Sequence, residues 1–491
     1  MPIVMATVTA VSRARTILRE PIFWLVTLAA ITYATFSVAQ HERFRTNAYD
    51  LGIYDQAVWL YSRFEAPWSS ILGVSILSDH FGPILALLAP LYWIHAGPET
   101  LLVAQAVLAA AAAIPVYLFA RRRLGPAVAL AAAVAYLGFV GIQHAVAFDF
   151  HLATIATFFI AWALYFALTG WWRAYWPAFA LALATKEDVP LLFAAAGVYF
   201  AFALRPRWIG VATVGASLAY FVLVEFVLMP ALPGAPALHH DFALGLPGGT
   251  PAEQLAFAFG HPAETLAILL DHPEKRRTMV ALPAGFAFLP LLHPLGWLAG
   301  GAHLLTRFLA TNQAIWELSR QYNANIAPFL AFASVLTLAR VATVAARFAP
   351  SVARAIPALG AAALVVAVLG CEVAYKPPLY LLSRESFWND EPSGPDLREM
   401  LRLVPPDAIV GAQNQIVPHL SERRTVYIML TQGDLDYLVF DLDLDPWPFR
   451  PEDLEALVDQ LLADPSYRLV EQRGPVLVLE HRHDVRPPSR R

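Results

Sequence analysis

About eleven stretches of this chain are apolar and long enough to be read as membrane crossings, and that pattern limits the fold more than any motif does. The first runs from Pro21 to Ala39, and the others lie near 99–120, 126–142, 152–168, 172–185, 189–204, 209–229, 280–293, 295–310, 324–341 and 356–375. In hydrocarbon a backbone must satisfy its own hydrogen bonds, so these segments are expected as α-helices. A chain that is 58% hydrophobic and 15% charged, with mean hydropathy +0.53, belongs with multi-pass membrane proteins rather than soluble domains. The formal net charge of −4 and the lack of a basic run interleaved with aromatics argue against a nucleic-acid partner. Cys371 is the only cysteine, which rules out an intrachain disulfide and a multi-thiolate metal site.

Charge placement orients the bundle. Arg13, Arg15 and Arg19 precede the first apolar run, which puts the N-terminus in the cytoplasm. Ser37-Val38-Ala39 faintly resembles a cleavage site, but the preceding run is longer than a signal-peptide core, so a retained anchor is expected. Counting eleven crossings places Arg121–Arg123, Arg173, Arg205, Arg207, Arg340, Arg347 and Arg354 on the same inner side. Phe81 to Ile94 must then be a re-entrant or interfacial element, which its short length, Pro83 and Pro90 suit. The segments 280–293 and 295–310 are separated only by Pro294 and read equally as two spans or one kinked hairpin.

The expected organisation is a transmembrane domain over 1–375, with outer loops at 41–81 and 230–279, followed by an extracytoplasmic domain over 376–491. That last region changes character. It alternates helix and strand patterns: a helix at 396–403, a strand at 408–412, a short helix near His419, strands at 425–429 and 437–442, a helix at 452–462, and strands at 467–471 and 476–480. This is the pattern of a small soluble α/β domain.

Polar residues persisting beside membrane spans are costly, so their grouping carries functional information. Asp50 and Asp55, Asp79 and His80, Asp149 and His151, and Lys186-Glu187-Asp188 all map to the outer ends of the segments. On one helix Asp50 and Asp55 lie about 140° apart, so they are expected in separate roles, one facing a cavity and one fixing the loop. The bland alternative is that both cap or solvate an interfacial helix. Asp149 reads either as the N-cap of the following helix or as a site residue. With His151 it suggests a divalent cation or proton exchange, but two residues do not define a metal site. Lys186, between two apolar runs, is expected to contact a lipid phosphate, with Glu187 and Asp188 as its alternative partners. His239-His240-Asp241 reads better as solvated loop than as a metal cluster, and Tyr322-Asn323 and Pro418-His419 as either sugar contacts or packing.

Taken together, Tyr49-Asp50-Leu51-Gly52-Ile53-Tyr54-Asp55-Gln56, Asp79-His80-Phe81, Leu88-Ala89-Pro90-Leu91-Tyr92, Phe148-Asp149-Phe150-His151, Lys186-Glu187-Asp188 and Gln415-Ile416-Val417-Pro418-His419-Leu420 resemble the bacterial membrane family called domain of unknown function 2079. That family is similar to the GT-C integral-membrane glycosyltransferases. The resemblance implies a GT-C-like α-helical multi-pass fold of about eleven transmembrane helices carrying a small α/β domain. It also implies a first-loop acid at Asp50, a later acid at Asp149, and a basic position near the donor phosphate at Lys186. Many GT-C relatives have adjacent acids in the first loop. Here four residues separate Asp50 from Asp55, which leaves dependence on a divalent cation open.

The function implied is inverting sugar transfer from a polyprenyl-phosphate donor to an envelope glycan, lipid or protein at the outer face of the cytoplasmic membrane. Asp50 and Asp149 are the expected catalytic groups, and Lys186, Asp55, His80, His151, Glu187, Asp188 and His419 the substrate-binding ones. A lipid or glycan flippase and a non-catalytic envelope assembly protein are the rivals. The first predicts polar groups at mid-membrane and two broken-helix repeats, neither of which the sequence displays.

Overall fold

The long apolar segments become largely helical in the computed structural model, which describes residues 18–235, 244–428 and 435–483. Among the described residues six helices are long and apolar enough to cross a bilayer: Pro21–Glu42, Pro98–Leu124, Leu152–Thr169, Trp208–Ala231, Ala327–Phe348 and Pro350–Tyr375. A seventh crossing results if Pro126–Leu137 and Val140–Ala147, bent by 42° at their break, count as one. The length criterion therefore yields fewer spans than the sequence pattern does. The remaining expected crossings are the helices Trp172–Leu183, Val189–Ala203, Pro273–Ala284 and Pro294–Phe308, of 12, 15, 12 and 15 residues. At 1.5 Å per residue even the longest covers only about 22 Å. Apolarity marks these segments, but turns and prolines such as Pro190, Pro283 and Pro294 set where their helices begin or end.

The chain forms two compact units. One takes in the described residues of Met1–Thr35, Gln105–Pro230 and Ala237–Tyr380, and the other those of Phe36–Ala104, Ala231–Pro236 and Leu381–Arg491. The sequence pattern suggests a break near 376. The compact grouping divides between Tyr380 and Leu381, and it also joins the first outer loop to the C-terminal region.

The first unit is a helical bundle with a small-residue core. Ala129, Ala131, Ala132, Ala133 and Ala135 of Pro126–Leu137 are buried, and such side chains let helix backbones approach closely. Gly210 shows the same device: a Cβ there would lie 2.0 Å from the Ala201 backbone nitrogen, so only glycine lets Trp208–Leu223 pack on Val189–Ala203. Tyr175 and Thr213 join their hydroxyls at 2.8 Å within this core. By contrast only 17% of the apolar window in Trp208–Ala231 is buried, as expected of a lipid-facing helix.

In the second unit a hairpin of β1 (Trp68–Ser69) and β2 (Val74–Ser75) precedes Pro83–Trp93, an 11-residue 3₁₀ helix in the segment expected to be re-entrant or interfacial. The C-terminal region forms one sheet from β3 (Val410–Ala412), β4 (Val426–Ile428), β5 (Tyr437–Asp441), β6 (Tyr467–Arg473) and β7 (Val476–His481), in the order β4-β3-β5-β7-β6. The first three pair in parallel and the last three antiparallel. Alternation sends Leu438, Phe440, Leu477 and Leu479 onto Leu454 and Val458 of the helix Pro451–Ala463. Val439, Val476 and Val478 face the other way, into a cluster with Leu397, Met400, Phe44 and Ala48. Two residues of the first outer loop thus complete the core of the C-terminal sheet.

Candidate functional site

The second unit carries the Asp50 group. Its first segment leaves the helix ending at Glu42 and enters a π turn over Ala48–Gly52, followed by the α-helix Ile53–Ser62. Asn414 holds the turn: the Ala48 N–H donates to its backbone oxygen at 2.9 Å and its side-chain oxygen at 3.0 Å. The Asn414 amide in turn donates to Asn47 Oδ1 at 2.8 Å. Ala48 and Leu51 point inward and are fully buried, while Tyr49 is exposed and Asp50 half-buried. Gly52 lies where the π turn meets the α-helix; a Cβ there would come within 3.3 Å of Ile71 Cδ1.

Asp55 sits differently, with no exposure at all. Its carboxylate accepts from Tyr92 Oη at 2.5 Å and from Ser421 Oγ at 2.7 Å. Burial, and then the nearby Glu422 carboxylate, pushes its pKa from 3.8 up to about 8. It ties the first-loop helix to the Pro83–Trp93 element and to the turn after His419. Its neighbour Gln56 does similar work, donating to Ser70 Oγ at 2.8 Å and to the Arg423 carbonyl at 3.0 Å.

Asp79 and His80 end a short helix, Ile76–Asp79, with 3.9 Å between Asp79 Oδ2 and His80 Nε2. His419 packs face to face on His41, with ring centroids 4.0 Å apart and planes 9° from parallel, and Phe44 tilts against it at 4.2 Å. Burial, and then His41, holds the His419 imidazole well below its ordinary pKa, so it is neutral at pH 7. The His419 ring is therefore packed against these two side chains, whatever else its ring reaches.

The first unit carries the Asp149 and Lys186 groups. Asp149 is buried, with a left-handed backbone at φ 51° that costs a non-glycine residue energy. Gln105, fully buried on Pro98–Ala111, clasps this bend from both sides. Its amide donates to the Asp149 carbonyl at 2.7 Å, and its oxygen accepts from the His151 N–H at 2.7 Å. His151, not Asp149, occupies the N-cap position of Leu152–Thr169, so the capping reading of Asp149 fails on position. The His151 ring stacks on Phe148, which also carries the Arg320 guanidinium 4.4 Å from its centroid.

Lys186 occupies the break between Trp172–Leu183 and Val189–Ala203, the latter started by Pro190. Its ammonium lies 3.0 Å from Glu187 Oε1 and 3.9 Å from Asp188 Oδ2, and Glu187 is 1% exposed. The Tyr322 ring lies 6.0 Å from this ammonium and 5.7 Å from the Arg307 guanidinium. Arg307 is buried, and among the described residues it hydrogen-bonds neutral groups, the Ile315 carbonyl at 2.8 Å, Asn323 Oδ1 at 2.6 Å and His303 Nε2 at 2.8 Å, with the Asp188 carboxylate in electrostatic range.

Sequence reading passed over Gln105, Arg307 and Arg320. Arg307 had a signal, since a lone arginine inside an apolar segment marks a functional position by default. Gln105 had a weaker one, a single amide in an otherwise apolar helix. Among the described residues no group of three or more His, Cys, Asp or Glu is arranged to hold a metal ion. His239, His240 and Asp241 lie outside the described residues, as do Arg13 and Arg15.

The clasp makes a prediction. Gln105→Leu strips partners from two buried backbone groups, each worth about 1–3 kcal/mol. It is expected to lower the apparent melting temperature of the purified protein by several degrees more than Val107→Ala, a change at a half-exposed position on the same helix. Equal melting of the two variants would show that Asp149 is held by something else.

A family model described as a predicted membrane protein, DUF2079, matches residues 40–478. No curated protein matches the chain. Among solved structures, ArnT from Cupriavidus metallidurans bound to undecaprenyl phosphate is similar at TM-score 0.51 and 16% identity, covering 94% of this chain and 98% of that one. The same protein in the apo state gives TM-score 0.53 and 14% identity, covering 93% and 97%. At such identity the likeness establishes the fold, an ArnT-like arrangement of helices with a C-terminal sheet region.

Proposed function

We propose, for a chain that belongs to the DUF2079 family of predicted membrane proteins, the transfer of a sugar from a polyprenyl-phosphate donor to an envelope acceptor. The observation that carries this reading is the pair of cations beside Tyr322. A buried guanidinium whose hydrogen bonds, among the described residues, go to neutral groups is expensive even with the Asp188 carboxylate in electrostatic range, and a phosphate arriving beside it offsets that cost. The similar fold of a protein that holds undecaprenyl phosphate supports the same choice of ligand.

In the proposed step the acceptor hydroxyl oxygen attacks the anomeric carbon and the bond from that carbon to the phosphate oxygen breaks. The hydroxyl proton passes to Asp50, and polyprenyl phosphate leaves with its added negative charge held by Lys186 and Arg307. Asp149, fixed by Gln105, is assigned to orienting the donor sugar. With Arg121–Arg123 on the cytoplasmic side, the reaction belongs to the outer face of the cytoplasmic membrane.

Lys186→Met alone is a poor test, because it strands the buried Glu187 carboxylate, a loss that typically costs about 3–5 kcal/mol. The double change Lys186→Met/Glu187→Gln removes both charges together. In nanodiscs it is expected to weaken binding of undecaprenyl phosphate at least about tenfold, or about 1.4 kcal/mol, with little change in melting. Unaltered binding would reduce Lys186 to a structural ion pair and remove the donor site.

A further inference from the structure

Tyr49 and Trp447 come from opposite ends of the chain, yet within the second unit their rings meet edge to face, with centroids 5.6 Å apart and planes at 76°. Both remain open to solvent, at 44% and 45% exposure. Each is carried on stiff backbone. Tyr49 sits in the π turn that Asn414 secures, immediately before Asp50. Trp447 lies between Pro446 and Pro448, which limit its backbone freedom, and its N–H donates to Asp445 Oδ1 at 3.0 Å. Gln413, fully buried, reinforces the loop: its oxygen accepts from the Asp441 N–H at 2.6 Å and its amide donates to the Asp445 carbonyl at 3.4 Å. The same loop presents Asp443 and Asp445, both exposed and neither paired with a basic side chain among the described residues.

We propose that Tyr49 and Trp447 form an acceptor subsite that stacks the C–H face of a pyranose ring while Asp443 and Asp445 accept hydrogen bonds from its hydroxyls. The subsite rests on the reading of Asp50 as the base that serves the acceptor. Its chemistry argues for a sugar over other occupants. An apolar protein surface or a lipid tail matches the rings but offers the two carboxylates no hydrogen-bond donor. An anionic lipid headgroup is repelled by those carboxylates. A pyranose offers both halves of the match, an apolar face for the electron-rich rings and a rim of hydroxyl donors for the acids. Exposed, preorganised aromatics also supply contact area at low entropic cost.

The test is saturation-transfer NMR on the full-length protein in nanodiscs, with methyl glucoside, methyl mannoside, methyl galactoside and chitobiose as probes and tetramethylammonium as a competitor. At least one pyranoside is expected to receive saturation at its ring C–H protons. Trp447→Ala and Tyr49→Ala should each weaken that binding about tenfold, about 1.4 kcal/mol, and Trp447→Phe should restore most of it. Melting curves for all three variants separate lost binding from lost folding, and Trp447→Phe keeps the loop filled if the alanine change unfolds it. Absence of binding by every probe overturns the proposal, as does binding indifferent to both alanine changes. Stronger binding of tetramethylammonium than of any pyranoside would mark a cation cage and overturn it equally. Pyranoside binding through Trp447 without any transfer from a polyprenyl-phosphate sugar would sink the transferase reading and leave the subsite standing. Transfer at an unchanged acceptor KM in both alanine variants would do the reverse.

Discussion

Asp50→Asn is expected to reduce sugar transfer by about 10²–10⁴-fold, the range a positioned general base contributes, while the melting temperature stays within about two degrees of wild type. The reason lies in what holds the π turn. Asn414 and Asn47 hydrogen-bond its backbone, and Ala48 and Leu51 anchor it from the buried side. Asp50 is half-buried, so a carboxamide of the same shape preserves the turn and removes the ability to take a proton. Donor binding, measured separately with undecaprenyl phosphate, should be unchanged, because Lys186 and Arg307 keep their partners. Asp50→Glu should recover part of the rate. A purified Asp50→Asn protein that turns over at the wild-type rate would remove Asp50 from the mechanism and leave the donor site untouched.

Two strands of the C-terminal sheet were legible almost to the residue because strands buried on both faces announce themselves. Tyr437–Asp441 and Val476–His481 match the expected strands to within a residue, and the helix Pro451–Ala463 falls where its apolar spacing puts it. The partnership of that sheet with the first outer loop was not legible. Phe44 and Ala48 look like ordinary residues beside a membrane helix, and nothing local tells that they fill a core built some 350 residues later. The bend at Gly138 and Phe139 and the short helices after Trp172 were hidden for a related reason. Hydropathy records how apolar a segment is, and the breaks depend on which neighbour each turn packs against. The candidate site divides in the same way. Charged residues beside apolar runs stand out in a sequence, so Asp50, Asp55, Asp149 and Lys186 presented themselves as candidates. Gln105 acts through two backbone groups in the bend that precedes another helix, and that role exists only in three dimensions.

Asp55 shows how the same residue type, five positions from Asp50, has become part of the framework, and its titration exposes that role. Burial first, and Glu422 second, raise its folded pKa from 3.8 to about 8, so between those values the folded state holds a proton that the unfolded chain releases. Stability must then fall as pH rises through this window, by up to about 1.4 kcal/mol per pH unit for one proton, and level off above about pH 8. Below about pH 4 the group is protonated in both states and contributes no slope. Asp55→Asn fixes the neutral form. Its oxygen accepts from Tyr92, and its amide donates to Ser421 Oγ, whose own proton is directed to the Pro418 carbonyl at 2.9 Å. The variant is therefore expected to match wild type near pH 4 to 5 and to exceed it at pH 9 by a few kcal/mol, an order-of-magnitude figure from the size of the shift. Glu422 and Glu99 remain in both proteins, so the difference between the two melting profiles isolates Asp55, apart from its coupling to those acids. Melting measured from pH 4 to 9 decides it: parallel profiles would mean that Asp55 is ionised in the folded protein. Its hydrogen bonds to Tyr92 and Ser421 would then be made by a carboxylate, and the Asn substitution would destabilise rather than stabilise at alkaline pH.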